Sequence, residues 1–357
     1  MTLDAVGGVW RYAMDLASAL SNQNVETVFA VLGPSPSAHQ AGEASRIGEL
    51  VTTGLPLDWM CESETELARI GDALGTLARR HAIDVVQVNV PSQAQGIAVG
   101  VPVIAVSHSC VATWWDRVRG DPLPPEWRWQ RSCTRAGLEN ADGIVCPSLS
   151  HAEAVSACYG PGLAVSVVHN AVGFPCRRNL KSDVVFAAGR WWDEGKNGEV
   201  LDRAASRCCW PVVMAGAVRG PQGQSVALSN VRATGELAAP DTRAAMAEAG
   251  IFVAPSRYEP FGLAPLEAAR SGCALVLSDI PVFRELWDGA ALFFPPDDPA
   301  ALADAVNALV DDAELRTGMA AVACLRSLMF TPDRQALAMR SIYDRAMART
   351  VPVSEEA

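Results

Sequence analysis

Two carboxylates with seven residues between them, Glu259 and Glu267, and two cations with five between them, Arg190 and Lys196, are the side chains whose type and spacing most directly suggest chemistry. Glu259 lies in Pro255-Ser256-Arg257-Tyr258-Glu259-Pro260-Phe261-Gly262-Leu263, directly after the apolar run Ala249 to Ala254. That run reads as a short buried strand, and the residues beyond Gly262 as a helix reaching about Ser271-Gly272. The first turn of such a helix leaves backbone N–H groups near Phe261, Gly262 and Leu263 without intrahelical partners, and it attracts anions. Gly262 removes the side chain where a ligand would come closest to the backbone. Glu267, one to two turns further on, adds a second acid at the same edge. Acids flanking an anion-binding helix end suit hydroxyl recognition around a phosphate, which is the pattern of a sugar nucleotide.

Arg190 and Lys196 follow the strand-like run Val184 to Ala188, in Gly189-Arg190-Trp191-Trp192-Asp193-Glu194-Gly195-Lys196-Asn197. Held at a strand end and a helix start, the two cations would neutralise the phosphates of a departing nucleoside diphosphate. Only two of the 29 basic residues are lysines, Lys181 and Lys196, so a chain that otherwise uses arginine keeps a compact ammonium here. Near the amino terminus, Gly7-Gly8 stands between a strand end and a helix start, a place where backbone can approach a ligand phosphate. His108 follows the apolar run Val101 to Val106, at the carboxyl end of a strand where parallel sheets bind ligands. Trp114, Trp115, Trp127 and Trp129 surround a polar, proline-bearing segment. Their indoles would either pack on sugar faces on the acceptor side, Trp114 and Trp115 first, or staple a long loop; both readings stay open.

The elements that must position these groups alternate along the chain. Apolar runs at Val25–Leu32, Asp84–Asn89, Val101–Val106, Gly143–Ser148 and Val165–His169 read as strands. Helical patterns at Glu64–Arg80, Glu126–Asn140 and Ser150–Tyr159 separate them, the last opening on the capping-box-like Ser150-His151-Ala152-Glu153. The alternation restarts with strands at Val184–Ala188, Val212–Ala215, Val231–Gly235, Ala249–Ala254 and Ala274–Ser278. Helices are expected over Gly198–Arg207 and Asp241–Ala249, after Pro299, and from Thr331-Pro332-Asp333 to about Met347. Such order points to α/β architecture with doubly wound parallel sheets. A length of 357 residues suits two domains. The expected division is residues 1–174, residues 175–330, and a last helix and tail at 331–357, with Gly173 to Asn179 as linker. Met1 stands so close to Gly7-Gly8 that the first strand is expected to be cut short, as a misplaced start would leave it.

Composition narrows the function class. Half of the residues are apolar and evenly spread, which excludes disorder and gives no membrane span. The net charge of -11, about -7 over residues 1 to 176 and -4 over the rest, leaves no basic stripe for nucleic acid. Ten cysteines without a Cys-x-x-Cys pair, and no secretory leader, imply reduced thiols in a cytoplasmic protein. The five histidines do not cluster with cysteines or carboxylates at ligand spacing, so no metal site is expected.

The string from Pro255 to Ala268 resembles the Glu-x7-Glu signature of retaining glycosyltransferases of family 4, roughly Pro-Ser-x-x-Glu-x-Phe-Gly-x-x-x-x-Glu-Ala, with every fixed position present. The resemblance extends over nearly the whole chain: a Gly-Gly-Val loop at Gly7-Gly8-Val9, a strand-end histidine at His108, an Arg-x5-Lys pair at Arg190 and Lys196, and Asn170-Ala171-Val172 where the family has Asn-Gly-Val. It implies the GT-B fold, two Rossmann-like domains facing a central cleft, with the last helix crossing back to the first domain. It further implies transfer of a hexosyl group from a nucleoside diphosphate sugar to a hydroxyl acceptor, glycan or lipid-linked, with no cofactor or metal. In that scheme His108, Arg190, Lys196 and Glu259 are catalytic, and Gly7, Gly8, Phe261, Gly262, Leu263 and Glu267 hold the donor. A donor-binding module without turnover, or a GT-B epimerase, are the alternatives, and peripheral membrane contact stays open.

Overall fold

The computed structural model describes residues 1–176, 180–221 and 223–350. The linker residues Arg177, Arg178 and Asn179 and the tail beyond 350 lie outside the described residues. By internal contacts the chain divides into two compact units, Met1–Ala171 together with the segment from Pro332, and Val172–Thr331.

In the first unit the order is β1 (Thr2–Asp4), α1 (Gly8–Ser21), β2 (Val28–Leu32), α2 (Ala38–Ala44), β3 (Glu49–Thr52), α3 (Glu64–Arg80), β4 (Val86–Val88) and β5 (Val103–Val106). Then come α4 (Val111–Val118), α5 (Arg128–Asn140), β6 (Gly143–Cys146), α6 (Leu149–Tyr159) and β7 (Val165–Val167). All pairings are parallel, in two sheets of order β1-β2-β3 and β4-β5-β6-β7. Asn89, just past β4, joins them with side-chain and backbone bonds to Thr2, at 2.7 and 2.8 Å. β1 holds three residues, paired with Ala30 to Leu32, and the Met1 amino group is buried, which pushes it down to about 5, and donates to the Val28 carbonyl. α3 shows why such a segment is helical: Ser63 accepts from Glu66 N–H at one end and Arg79 and Arg80 complement the dipole at the other. Its buried residues Leu67, Ile70, Leu74 and Ala78 recur on one face.

The second unit runs β8 (Ser182–Ala188), α7 (Gly198–Ala205), β9 (Val212–Ala215), β10 (Arg232–Gly235), α8 (Ala239–Glu248), β11 (Ala249–Ala254), α9 (Leu263–Arg270), β12 (Ala274–Ser278), α10 (Pro281–Trp287), β13 (Leu292–Phe294), α11 (Pro299–Asp311) and α12 (Ala313–Ser327). The last helix, α13 (Pro332–Thr350), packs on α1 in the first unit through Ala336, Met339 and Tyr343. The sheet of this unit is parallel, ordered β10-β9-β8-β11-β12-β13. Counted from β8 this is 3-2-1-4-5-6, whose order reverses between β8 and β11, the point where doubly wound sheets bind ligands. β11 and β12 are buried along their whole length and apolar but for Ser278 at the end of β12, as expected of strands covered on both faces.

Several elements differ from the sequence reading. Ser148, not Ser150, caps α6, its hydroxyl accepting from His151 N–H. α2, β3, α4 and α12 were not foreseen from the periodicity, and the strand expected over Asp84–Asn89 shortens to Val86–Val88, β4, because only those residues pair. Among the described residues no disulfide forms, and no helix is long and apolar enough to cross a membrane.

Candidate functional site

The second unit collects its polar groups in the two loops that leave the switch point. After β8, Trp191 is buried and its indole N–H donates to the Ala215 carbonyl, which anchors the loop between Gly189 and Asn197. Arg190 stays half exposed, 3.4 Å from the Asp193 carboxylate and over the Trp192 ring. Asp193 also accepts from Gly195 N–H and starts a single 3-10 turn, Glu194–Lys196, so Lys196 sits on this turn and not on α7 itself. Asn197 follows in the left-handed region at φ 53°, and its amide donates to the carbonyls of Pro255 and Pro296.

After β11, Arg257 and Tyr258 N–H both donate to the Gly195 carbonyl, tying the second loop to the first. The consequence is direct contact between side chains 63 residues apart: Lys196 Nζ donates to Glu259 Oε1. Both are largely sheltered, with side-chain exposures of 21% and 13%. Ser256 hydroxyl lies 3.4 Å from the same carboxylate oxygen, and the Ser278 hydroxyl, at the end of β12, holds the Ser256 carbonyl. Gly262 caps α9 at φ 90°, in a conformation that L side chains rarely adopt. A Cβ there would also meet Phe283 Cε1 at 2.9 Å. The first-turn amides of α9 therefore open three residues beyond Glu259, and Glu267 lies half-buried further along the same helix. The Phe261 ring is buried edge-on against Phe330, 5.5 Å between centroids. Lys181, the other lysine, is structural, its ammonium donating to the carbonyls of Met246, Ala247 and Ser271.

The first unit carries a separate group of residues. Gly7, at φ 97°, caps α1, and Gly8 begins it. The loop is held by Asp4, which accepts from Val6 N–H at 2.8 Å, and by Gln40 of α2, which donates to the Ala5 carbonyl. His108 leaves the end of β5 with its ring against Tyr12 of α1, centroids 4.3 Å apart at 71°. Its Nε2 is buried and has no hydrogen-bond partner in the protein. Burial, with His151 close by, pushes His108 down to about 3, and burial pushes His151 down to about 4, so both rings are neutral at physiological pH. Trp114 and Trp115 sit half-buried on α4, 6.1 Å apart. Trp115 donates to Asp121 and lies under Arg119, and Trp129 packs against the core cluster that includes Cys133.

What sequence reasoning missed is local support that comes from afar. Tyr12 and His151 flank His108 from two other helices, and the Asn197 amide joins the two switch-point loops. Tyr12, four residues after Gly8 on the same face of α1, is the one for which spacing offered a signal. Among the described residues no group of acidic, histidine and cysteine side chains could hold a metal ion.

Comparison with known proteins follows the same division. Residues 6–173 match the model of Glycosyltransferase Family 4, and residues 182–312 that of Glycosyl transferases group 1. A lipopolysaccharide core biosynthesis mannosyltransferase, LpsB, of Rhizobium meliloti is 36% identical over 102 residues, which is 27% of this chain and 29% of that protein. The chain thus aligns with under a third of this relative's length. The glycogen synthase of Mycobacterium tuberculosis is 25% identical over 353 residues, 86% of this chain and 83% of its own. Among solved structures, a sucrose-phosphate synthase from Thermosynechococcus elongatus superposes with a TM-score of 0.78 at 17% identity, covering 96% of this chain and 94% of that one. Anabaena HepE in complex with UDP-glucose gives 0.73 at 17% identity, covering 96% and 99%. These likenesses show the fold, GT-B, built from two Rossmann-like parallel-sheet units.

Proposed function

Because this chain belongs to the family 4 glycosyltransferases, we propose that it moves a hexosyl group from a nucleoside diphosphate sugar to a hydroxyl acceptor, with retention at the anomeric carbon. The observation that carries the reading is the meeting of Lys196, Glu259 and the α9 amides at the switch point of the second unit's sheet. The leaving diphosphate is the main electrostatic obstacle to such a transfer. Lys196, Arg190 and the N–H groups that open α9 supply fixed positive charge and donors for it. Arg190 is free to turn toward a phosphate at the cost of one exposed ion pair, and such pairs contribute little.

Glu259 accepts hydrogen bonds from sugar hydroxyls while keeping Lys196 oriented, and Glu267 accepts from the ribose. His108, neutral, orients the donor sugar by a hydrogen bond and does not act as a cation. The bond from the anomeric carbon to the diphosphate oxygen breaks and the acceptor oxygen bonds on the same face, its proton passing to the departing phosphate. Fixed cations make a metal unnecessary in this scheme. HepE, a structural neighbour, was solved with UDP-glucose, which makes that nucleotide sugar the first donor to test.

The test is incubation with UDP-, GDP- and ADP-sugars and a panel of saccharide acceptors. Acceptor-dependent release of nucleoside diphosphate, insensitive to chelator, with product of unchanged anomeric configuration by proton NMR, supports the proposal. Inverted product, or activity abolished by chelator, overturns its mechanistic part.

A further inference from the structure

His108 poses a physical problem that its own segment does not solve. It lies in the short connection between β5 and α4, whose N-cap is Cys110, so no regular element fixes its side chain. A neutral imidazole has one nitrogen that donates and one that accepts, and a hydrogen bond at one normally decides the identity of the other. The buried Nε2 has no such bond within the protein. Orientation must therefore come from what packs around the ring.

Two residues do that, Tyr12 against the ring and His151 from behind it. Tyr12 presses its ring on the imidazole at a near-perpendicular angle. It is 3% exposed, and its hydroxyl lies 3.5 Å from the Gln87 amide. Gln87 is itself fixed, donating to Asn89 and accepting from the Tyr343 hydroxyl of α13, so Tyr12 sits at the end of a buried polar chain. Behind His108, the Ser107 hydroxyl is 3.0 Å from His151 Nε2, and both residues are almost fully buried. Ser107 N–H also donates to the Val145 carbonyl, so the residue before His108 is held through main chain and side chain alike.

We propose that Tyr12 and His151 are positioning residues for His108: Tyr12 sets the plane of its ring, and His151, through Ser107, sets the strand end from which it projects. The proposal rests on the reading that His108 meets the donor sugar. Since Gly8 and Tyr12 share one face of α1, the same helix that opens the glycine loop also orients the histidine.

The experiment combines a ligand-free readout with kinetics. Long-range nitrogen-15 NMR of histidine-labelled protein reports the tautomer of His108, assigned by its loss in H108A. The wild type shows a single neutral tautomer. Y12L and S107A shift it toward an average of the two, whereas Y12F retains it. H151L behaves as S107A does, and H151Q, which keeps a polar group facing Ser107, recovers most of the loss. With UDP-glucose as probe, Y12L and H151L lower kcat for UDP release about 10- to 100-fold and change KM less than about twofold, as a displaced contact would.

If S107A, the smallest change, and Y12L both keep the wild-type tautomer signal while remaining folded, the proposal is overturned. If those signals shift but H108A turns over UDP-glucose at the wild-type rate, the positioning holds and the assignment of His108 to the donor fails. An unfolded Y12L transfers the decision to S107A and Y12F.

Discussion

Acid should destabilise the first unit through two histidines, and the size of the effect follows from their burial. His108 and His151 are pushed from the ordinary 6.5 down to about 3 and about 4, mainly because burial penalises the charged ring. Their folded-state pKa values lie below the unfolded ones. Stability is therefore full above pH 6.5 and is lost as pH falls from there toward the folded values, because only the unfolded chain takes up the protons. At pH 5.0 each histidine withholds about 1.5 pH units of protonation free energy, or about 2 kcal/mol, so the pair costs about 4 kcal/mol relative to pH 7.5. That is a large share of the stability of an ordinary domain. The window ends above the range in which unfolded carboxylates titrate, near 4, so they contribute little. The assay is urea unfolding at pH 7.5 and 5.0, read by hydrogen exchange of peptides from β5 and α6 so that the transition belongs to this unit. The buried Met1 amino group, pushed down to about 5, adds its own acid loss in this window, so the double variant H108Q/H151Q should lose about 4 kcal/mol less than the wild type while keeping that remainder. An equal acid loss in wild type and double variant would refute the assignment of neutral buried histidines.

Three further outcomes follow from contacts in the second unit. Lys196→Ala removes the cation beside a carboxylate only 13% exposed and should lower turnover about 10²- to 10³-fold in a diphosphate-release assay, with circular dichroism unchanged. Gly262→Ala meets both a φ of 90° and the Phe283 ring, and should destabilise by more than about 1 kcal/mol in calorimetry. Arg270 is 5% exposed and donates to the carbonyls of Phe174, Ser327 and Phe330. Arg270→Met should therefore cost about 3 kcal/mol, read as a lower urea midpoint for peptides from α9.

The parts of the fold legible in the sequence were those whose signal is local. β11 and α9 announce themselves because a fully apolar run, a glycine and a helix pattern follow one another within about twenty residues. β3 did not, because Glu49–Thr52 is an edge strand with half its residues exposed and no apolar run. α12 was hidden for a different reason: Leu315, Val322 and Leu325 face outward, so its apolar residues do not mark a buried face. Within the candidate site, residue types and strand ends could be read, but pairings could not. Lys196 touches Glu259 across 63 positions, and Ser107 touches His151 across 44, distances set by sheet order and not by any local pattern. Phe261 is a motif residue whose ring packs edge-on against Phe330, a partner 69 positions away that no local pattern points to.

The central claim is that the loops after β8 and β11 grip a diphosphate with Lys196, Arg190 and the amides of α9. Calorimetric titration of wild type and Lys196→Ala with UDP, GDP and ADP, each against its monophosphate and nucleoside, tests it most directly. The account predicts that one nucleoside diphosphate binds at least tenfold more tightly than its monophosphate, and that Lys196→Ala abolishes most of that difference. Equal affinity for diphosphate and nucleoside, or a preference that survives in the variant, would contradict it.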